Sequence, residues 1–183
     1  MSRLRITAWS AAALILLLPL LAMQVTDEVN WTVADFVFAG VLILGVGIPF
    51  ELAVRKTGNA AYRAGVGVAL AAAFLLVWVN GAVGIIGSED NDANLMYFGV
   101  LAVGLIGAII ARFHPLPMAR VLFAMALAQA LVAVVALVAG LGATEPPGPL
   151  RILILNGFFV ALFVGSASLF RRAAQGGPER GSV

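Results

Sequence analysis

Few side chains in this chain have the chemistry to do work, and most of those lying within its apolar stretches are amides. Asn80, Gln129 and Asn156 each lie inside a long apolar run, where a polar group is costly and needs a partner or water. Gln129 falls near the middle of its run, whereas Asn80 and Asn156 lie about 6 Å to one side of theirs at 1.5 Å per helical residue. The three can therefore share one level. Neutral amides offer donors and acceptors together, so a ring of them could bind a polar solute or line a water-filled path. The competing expectation is interhelical glue, with amides bonded to each other or to backbone carbonyls. Trp78, two residues before Asn80, points in another direction around a helix and is a candidate to line a pocket.

Glu51 is the carboxylate set well inside a segment on the opposite half, after Gly47 and Pro49. Proline removes a backbone hydrogen bond and kinks a helix, and a desolvated carboxylate beside such a break could carry a proton or hold a cation. Its spacing from Arg55 equally predicts an i, i+4 ion pair.

The stretch Gly87-Ser88-Glu89-Asp90-Asn91-Asp92-Ala93-Asn94 is the most polar in the chain. Asp90, Asp92 and Asn94 have the spacing of the first three ligands of a calcium loop. Leu95 then stands where such a loop needs glycine, and Leu101 where it needs the bidentate glutamate. What remains is a weak outer-loop cation site, against the simpler expectation that Asn91 or Asn94 caps the helix that follows, with acids near its positive end. Asp35 is expected to do the same for the second helix.

Chemistry that needs more than this is excluded by composition. With no cysteine, there are no disulfides, thiolate metal sites or cysteine nucleophiles. The single histidine, His114, lies in a Phe113-His114-Pro115-Leu116-Pro117 turn with no carboxylate beside it. Ser166 and Ser168 have no base placed at their depth, and no phosphate-binding glycine loop occurs. The chain is therefore expected not to be an enzyme, and no cofactor or confident metal site is assigned.

The elements that must carry these residues follow from hydropathy. With 62% hydrophobic residues, 11% charged residues and a mean hydropathy of +1.06, the 183 residues cannot make a water-soluble surface, and lipid must cover most of the outside. Apolar runs near residues 6–25, 35–54, 62–86, 95–111, 119–141 and 150–170 are each about long enough to cross a hydrocarbon core of about 30 Å as a helix. They lack the alternation of barrel strands. The expected fold is an all-α integral membrane protein, residues 1–172 forming one domain of six transmembrane helices. The short connections predict three antiparallel hairpins. Residues 173–183 are expected to form a short, disordered cytoplasmic tail.

Charge predicts the orientation. Arg3 and Arg5, then Arg55, Lys56 and Arg63, then Arg112 and Arg120, then Arg171, Arg172 and Arg180 all fall on one side. Asp27, Glu28, Glu89, Asp90, Asp92 and Glu145 fall on the other, with Arg151 as its base. Because short basic loops stay in the cytoplasm, both termini are expected there, in a bacterial-type inner membrane. Arg3 and Arg5 before an apolar stretch ending near Ala22 also fit a secretory signal peptide. The run is longer than a signal core, so a retained helix bent at Pro19 is expected. Basic residues at segment ends, rather than in a stripe, argue against nucleic acid.

Glycines are clustered, with Gly40, Gly45 and Gly47, then Gly65 and Gly67, then Gly99, Gly104 and Gly107 on the second, third and fourth helices, where they would let backbones approach. Gly40-Val41-Leu42-x-x-Gly45 and Gly99-Val100-Leu101-x-x-Gly104 form a recurrence compatible with an internal repeat or with chance. Two functions are compatible with these features. The favoured expectation is a transporter or channel for a small solute or ion, with Asn80, Gln129 and Asn156 lining one half of a path and Glu51 the other. The alternative is a non-transporting partner, binding itself or another membrane protein through its glycine-rich helix faces.

Overall fold

The structure, a computed structural model, describes residues 3–142 and 148–176; in the first helix the described side chains are Trp9, Ser10 and those from residue 12 on. Among the described residues the regular structure is entirely helical. The helices are α1 (Arg3–Ala22), α2 (Val33–Lys56), α3 (Ala60–Val83), α4 (Met96–Ile110), α5 (Pro115–Val138) and α6 (Pro149–Gln175), with a 3-10 turn at Asp92–Leu95 leading into α4. Five of these, counting the turn with α4, are long and apolar enough to cross a bilayer, and α1 is a helix of 20 residues.

Local chemistry moves several boundaries from their expected places. Helix α3 ends at Val83 rather than Ile86 because Gly84 takes a left-handed conformation, φ 65°, and closes the last turn by donating its amide to the Asn80 carbonyl. A side chain there would be strained by that φ, and its Cβ would also lie 2.3 Å from the Ser88 oxygen. Helix α5 begins at Pro115, four residues before Ala119, since a proline in the first turn loses no intrahelical bond. Helix α6 likewise starts on Pro149 and continues past Phe170 to Gln175, so residues 173–175 of the expected tail are its final turn. Residues 177–183 of that tail, with Arg180, and Glu145 in the α5–α6 connection lie outside the described residues.

The chain divides into two compact units, Met1–Leu52 and Ala53–Val183. In the first, Trp9 of α1 lies across Gly47 of α2, where a Cβ would stand 2.7 Å from its ring. Helix α2 opens with a reciprocal capping box: the Thr32 amide and hydroxyl donate to Asp35 Oδ2 at 2.7 and 2.8 Å, and the Asp35 amide donates back to Thr32 Oγ1. Asp35 thus serves the start of α2, and Trp31 meets Phe36 edge-on beside it.

In the second unit α6 is the central element. It packs on both α5 and α3, and α5 packs on α4, whereas α3 and α4 touch little although they are consecutive. Phe159, Phe163 and Phe170 of α6 are fully buried. Their bulk is admitted by small residues opposite, since a Cβ on Gly65 would meet the Phe170 ring at 3.2 Å. Ser166 of α6 donates to the Gly65 carbonyl at 2.8 Å, which explains a buried hydroxyl with no base. The α4–α5 contact is as close: a Cβ on Gly107 would stand 2.6 Å from Val121.

One end of this unit is sewn together by main-chain acceptors. Tyr62 donates to the Phe113 carbonyl at 2.8 Å, Asn59 caps α3 and donates to the Ala173 carbonyl, and Arg63 donates to the carbonyls of Val54 and Thr57. Arg112 and Phe113 both adopt left-handed φ, 49° and 59°. This tight turn separates α4 from α5.

Candidate functional site

The polar groups at the other end of the second unit form two hydrogen-bonded groups, one around Asn156 and one around Asn94. Asn156 of α6 is the hub of the first. Its amide nitrogen donates to the Ile152 carbonyl one turn earlier, at 2.8 Å, and to the Tyr97 hydroxyl at 3.0 Å. Its carbonyl oxygen accepts from the Gln129 amide nitrogen of α5 at 2.9 Å and lies 3.2 Å from the Tyr97 hydroxyl. All three residues are essentially sealed from outside, Gln129 being 0% exposed, Tyr97 1% and Asn156 2%. Three helices, α4, α5 and α6, are therefore joined at one point.

Three residues before Tyr97, Asn94 secures the loop that follows α3. Its carbonyl oxygen accepts from the amides of Ile85 and Ile86 at 3.1 and 2.9 Å, and its nitrogen donates to the carbonyls of Ile86 and Ser88 at 3.2 and 2.7 Å. Each donor and acceptor position of this amide is filled. The staple turns Ile85 and Ile86 fully inward. Asn80 joins by donating to the main-chain carbonyl of Asn94 at 3.3 Å. Arg151 donates to the carbonyls of Val83 and Gly84, holding the end of α3 from the start of α6. Gly142 backs the loop, since a Cβ there would stand 2.5 Å from the Gly87 nitrogen.

Of the residues singled out from the sequence, Asn80, Gln129 and Asn156 are brought into this region, and Tyr97 and Asn94 complete it. Trp78 stands apart: it is 40% exposed and its ring stacks on Phe74 at 6.0 Å. Asn94 is committed to the loop backbone and so is not a free ligand beside Asp90 and Asp92. Among the described residues no group of three or more acidic or histidine side chains is placed to hold a metal ion. Asn91 takes the capping role, accepting from the Ala93 amide at the start of the 3-10 turn. In the first unit Glu51 accepts from the Trp9 indole nitrogen at 2.6 Å, a link between residues 42 apart that the sequence did not reveal.

Comparison with protein-family models, with curated proteins and with solved structures finds no match. The functional reading therefore rests on the geometry.

The orientation of the amides is fixed by chemistry. A backbone carbonyl can only accept, so the Ile152 carbonyl requires the nitrogen of Asn156 to face it. Asn156 Oδ1 then faces Gln129, which must present its own nitrogen. By the same logic the Asn94 carbonyl requires the nitrogen of Asn80. Two acceptors are consequently directed elsewhere, Gln129 Oε1 and Asn80 Oδ1, and no donor among the described residues reaches either. An unsatisfied buried acceptor costs about 1–3 kcal/mol.

Tyr97 and Arg151 also belong to the site, and from the sequence Arg151 reads only as the base on the acidic side. The available signal was position. Tyr97 follows the amide-rich loop by three residues, and Arg151 opens α6 five residues before Asn156.

Proposed function

We propose that this protein is a non-transporting membrane partner, on whose helices a membrane-spanning helix of another protein docks. The observation that carries this reading is the use made of the amides: Gln129, Asn156 and Tyr97 bond to one another, and Asn80 to the loop backbone, inside a packed interior. Groups committed in this way join helices and leave little to line a path.

The glycines support the same reading from outside. Those at 47, 65, 104 and 107 are filled by neighbours within the fold, whereas a Cβ on Gly157 or Gly165 of α6 would meet nothing within 4 Å. Gly157, Ala161 and Gly165 recur at four-residue spacing on the exposed side of α6, opposite buried Phe159 and Phe163 and flanked by exposed Leu153, Phe158 and Val164. Small residues between large ones let a second helix approach closely in lipid. The sequence-based preference for a transporter gives way on these grounds. What favours that second reading is the pair of acceptors without donors among the described residues.

The proposed setting is a bacterial-type inner membrane with six crossings and both termini in the cytoplasm, supported by the basic residues of alternate connections. A reporter active only outside the cytoplasm should be silent after Val183 and active at Asp90; the reverse pattern overturns the orientation. Flux of ions and small polar solutes into proteoliposomes should equal that of empty vesicles for the wild type, Glu51→Gln and Gln129→Leu alike. A wild-type flux abolished by either substitution refutes the partner reading.

A further inference from the structure

We infer that Gln129 Oε1 is the acceptor of a buried water molecule, held where α4, α5 and α6 meet. Three observations carry this. The direction of the Gln129 amide is imposed by the chain Ile152 carbonyl, Asn156, Gln129, so the orphaned acceptor is not a matter of which way the amide is drawn. Gln129 is 0% exposed and no donor among the described residues reaches its oxygen, while buried amide oxygens in folded proteins are almost always satisfied by protein or ordered water. Finally, the group that satisfies it must be neutral. Asn156, Tyr97, Asn80 and Asn94 carry no charge, and the acids of the neighbouring loop, Glu89 and Asp90, are exposed. A cation here would therefore be a buried charge without a counterion among the described residues. A neutral O–H donor small enough to reach a fully buried oxygen is water. Asn80 Oδ1, also forced and also without a donor among the described residues, would hold a second.

This inference stands apart from the partner reading, since a bound water is compatible with either function. The test is infrared spectroscopy of the full-length protein in lipid nanodiscs hydrated with D2O and then with D2-18O. Protein-bound water gives narrow O–D stretches that move to lower frequency with the heavier oxygen. The wild type should show such a band, and Gln129→Met, which keeps the side chain's length and removes the acceptor, should lose it. Tyr97→Phe, which leaves Gln129 Oε1 intact, should retain it. If methionine at 129 prevents folding, as judged by gel filtration and thermal melting, Gln129→Asn withdraws the acceptor by one methylene and should lose or shift the band. An isotope-sensitive spectrum identical in the wild type and the folded position-129 variant overturns the inference. So does a melting temperature that rises with Na+ or K+ in the wild type but not in Gln129→Met, because a cation would then be the occupant.

Discussion

The two units of this chain solve the problem of stability in lipid differently. In the first, Trp9 laid over Gly47 and bonded to Glu51 joins α1 to α2, and only 6% of the apolar stretch of α2 is buried against protein. In the second, 39% of the apolar stretch of α5 is buried, and the packing is reinforced by amides, a tyrosine, a serine and an arginine that each reach another helix or loop. Lipid tails are as apolar as leucine, so apolar area alone does not pull helices together. Close approach at glycine and hydrogen bonds between helices must do it. The second unit has both in quantity, and among the described residues of the first Trp9 supplies both, against Gly47 and to Glu51.

That contrast can be broken where it is strongest. Asn156→Leu removes the acceptor of Gln129 and the partner of Tyr97 at once, and with about 1–3 kcal/mol for each group left unsatisfied it should lower stability by about 2–4 kcal/mol. Reversible unfolding in mixed micelles measures this, and a change within error would mean that the hub does not bind the helices. Asn94→Ala withdraws the acceptor from two buried main-chain amides, Ile85 and Ile86, for a loss of about 2–3 kcal/mol. It should also open residues 84–91 to proteases that leave the wild type intact.

Smaller effects sharpen the comparison. Gly107→Ala places a Cβ 2.6 Å from the branched Val121 and should cost about 1–3 kcal/mol through overpacking. Gly104→Ala meets the flexible end of Met125 at a similar distance and should cost less than Gly107→Ala, because methionine re-packs readily. Equal costs would show that the α4–α5 distance, not the neighbour's stiffness, decides. Trp9→Phe keeps a ring over Gly47 and removes the donor to Glu51. It should cost about 1 kcal/mol in the same unfolding measurement, and a change within error would mean that the bond to Glu51 does not hold α1 on α2.

Helices were legible in the sequence because twenty-residue apolar runs leave no other choice in lipid, and caps such as Asp35 and Asn91 were legible because they act locally. The amides Asn80, Gln129 and Asn156 stood out as costly. Their partners did not. Which way a helix turns is encoded by a polar face, and these helices are apolar nearly all round, so nothing marked Tyr97 as inward or Trp78 as outward. Arg151 shows the same limit from another side: its charge spoke of topology, while its contacts to Val83 and Gly84 depend on where α6 begins relative to α3. The Gly-Val-Leu recurrence looks alike in sequence, yet Val41 is 63% exposed and Val100 1%, since environment is set by neighbours and not by the motif.

The most direct test of the partner reading is photo-crosslinking in native membranes from position 158, with a photoreactive phenylalanine analogue replacing Phe158 beside the Gly157, Ala161 and Gly165 face. A discrete protein adduct is predicted, lost when Gly157→Leu and Gly165→Leu fill the groove although the variant melts like the wild type. Adducts to lipid alone, or a protein adduct indifferent to those two substitutions, would contradict it.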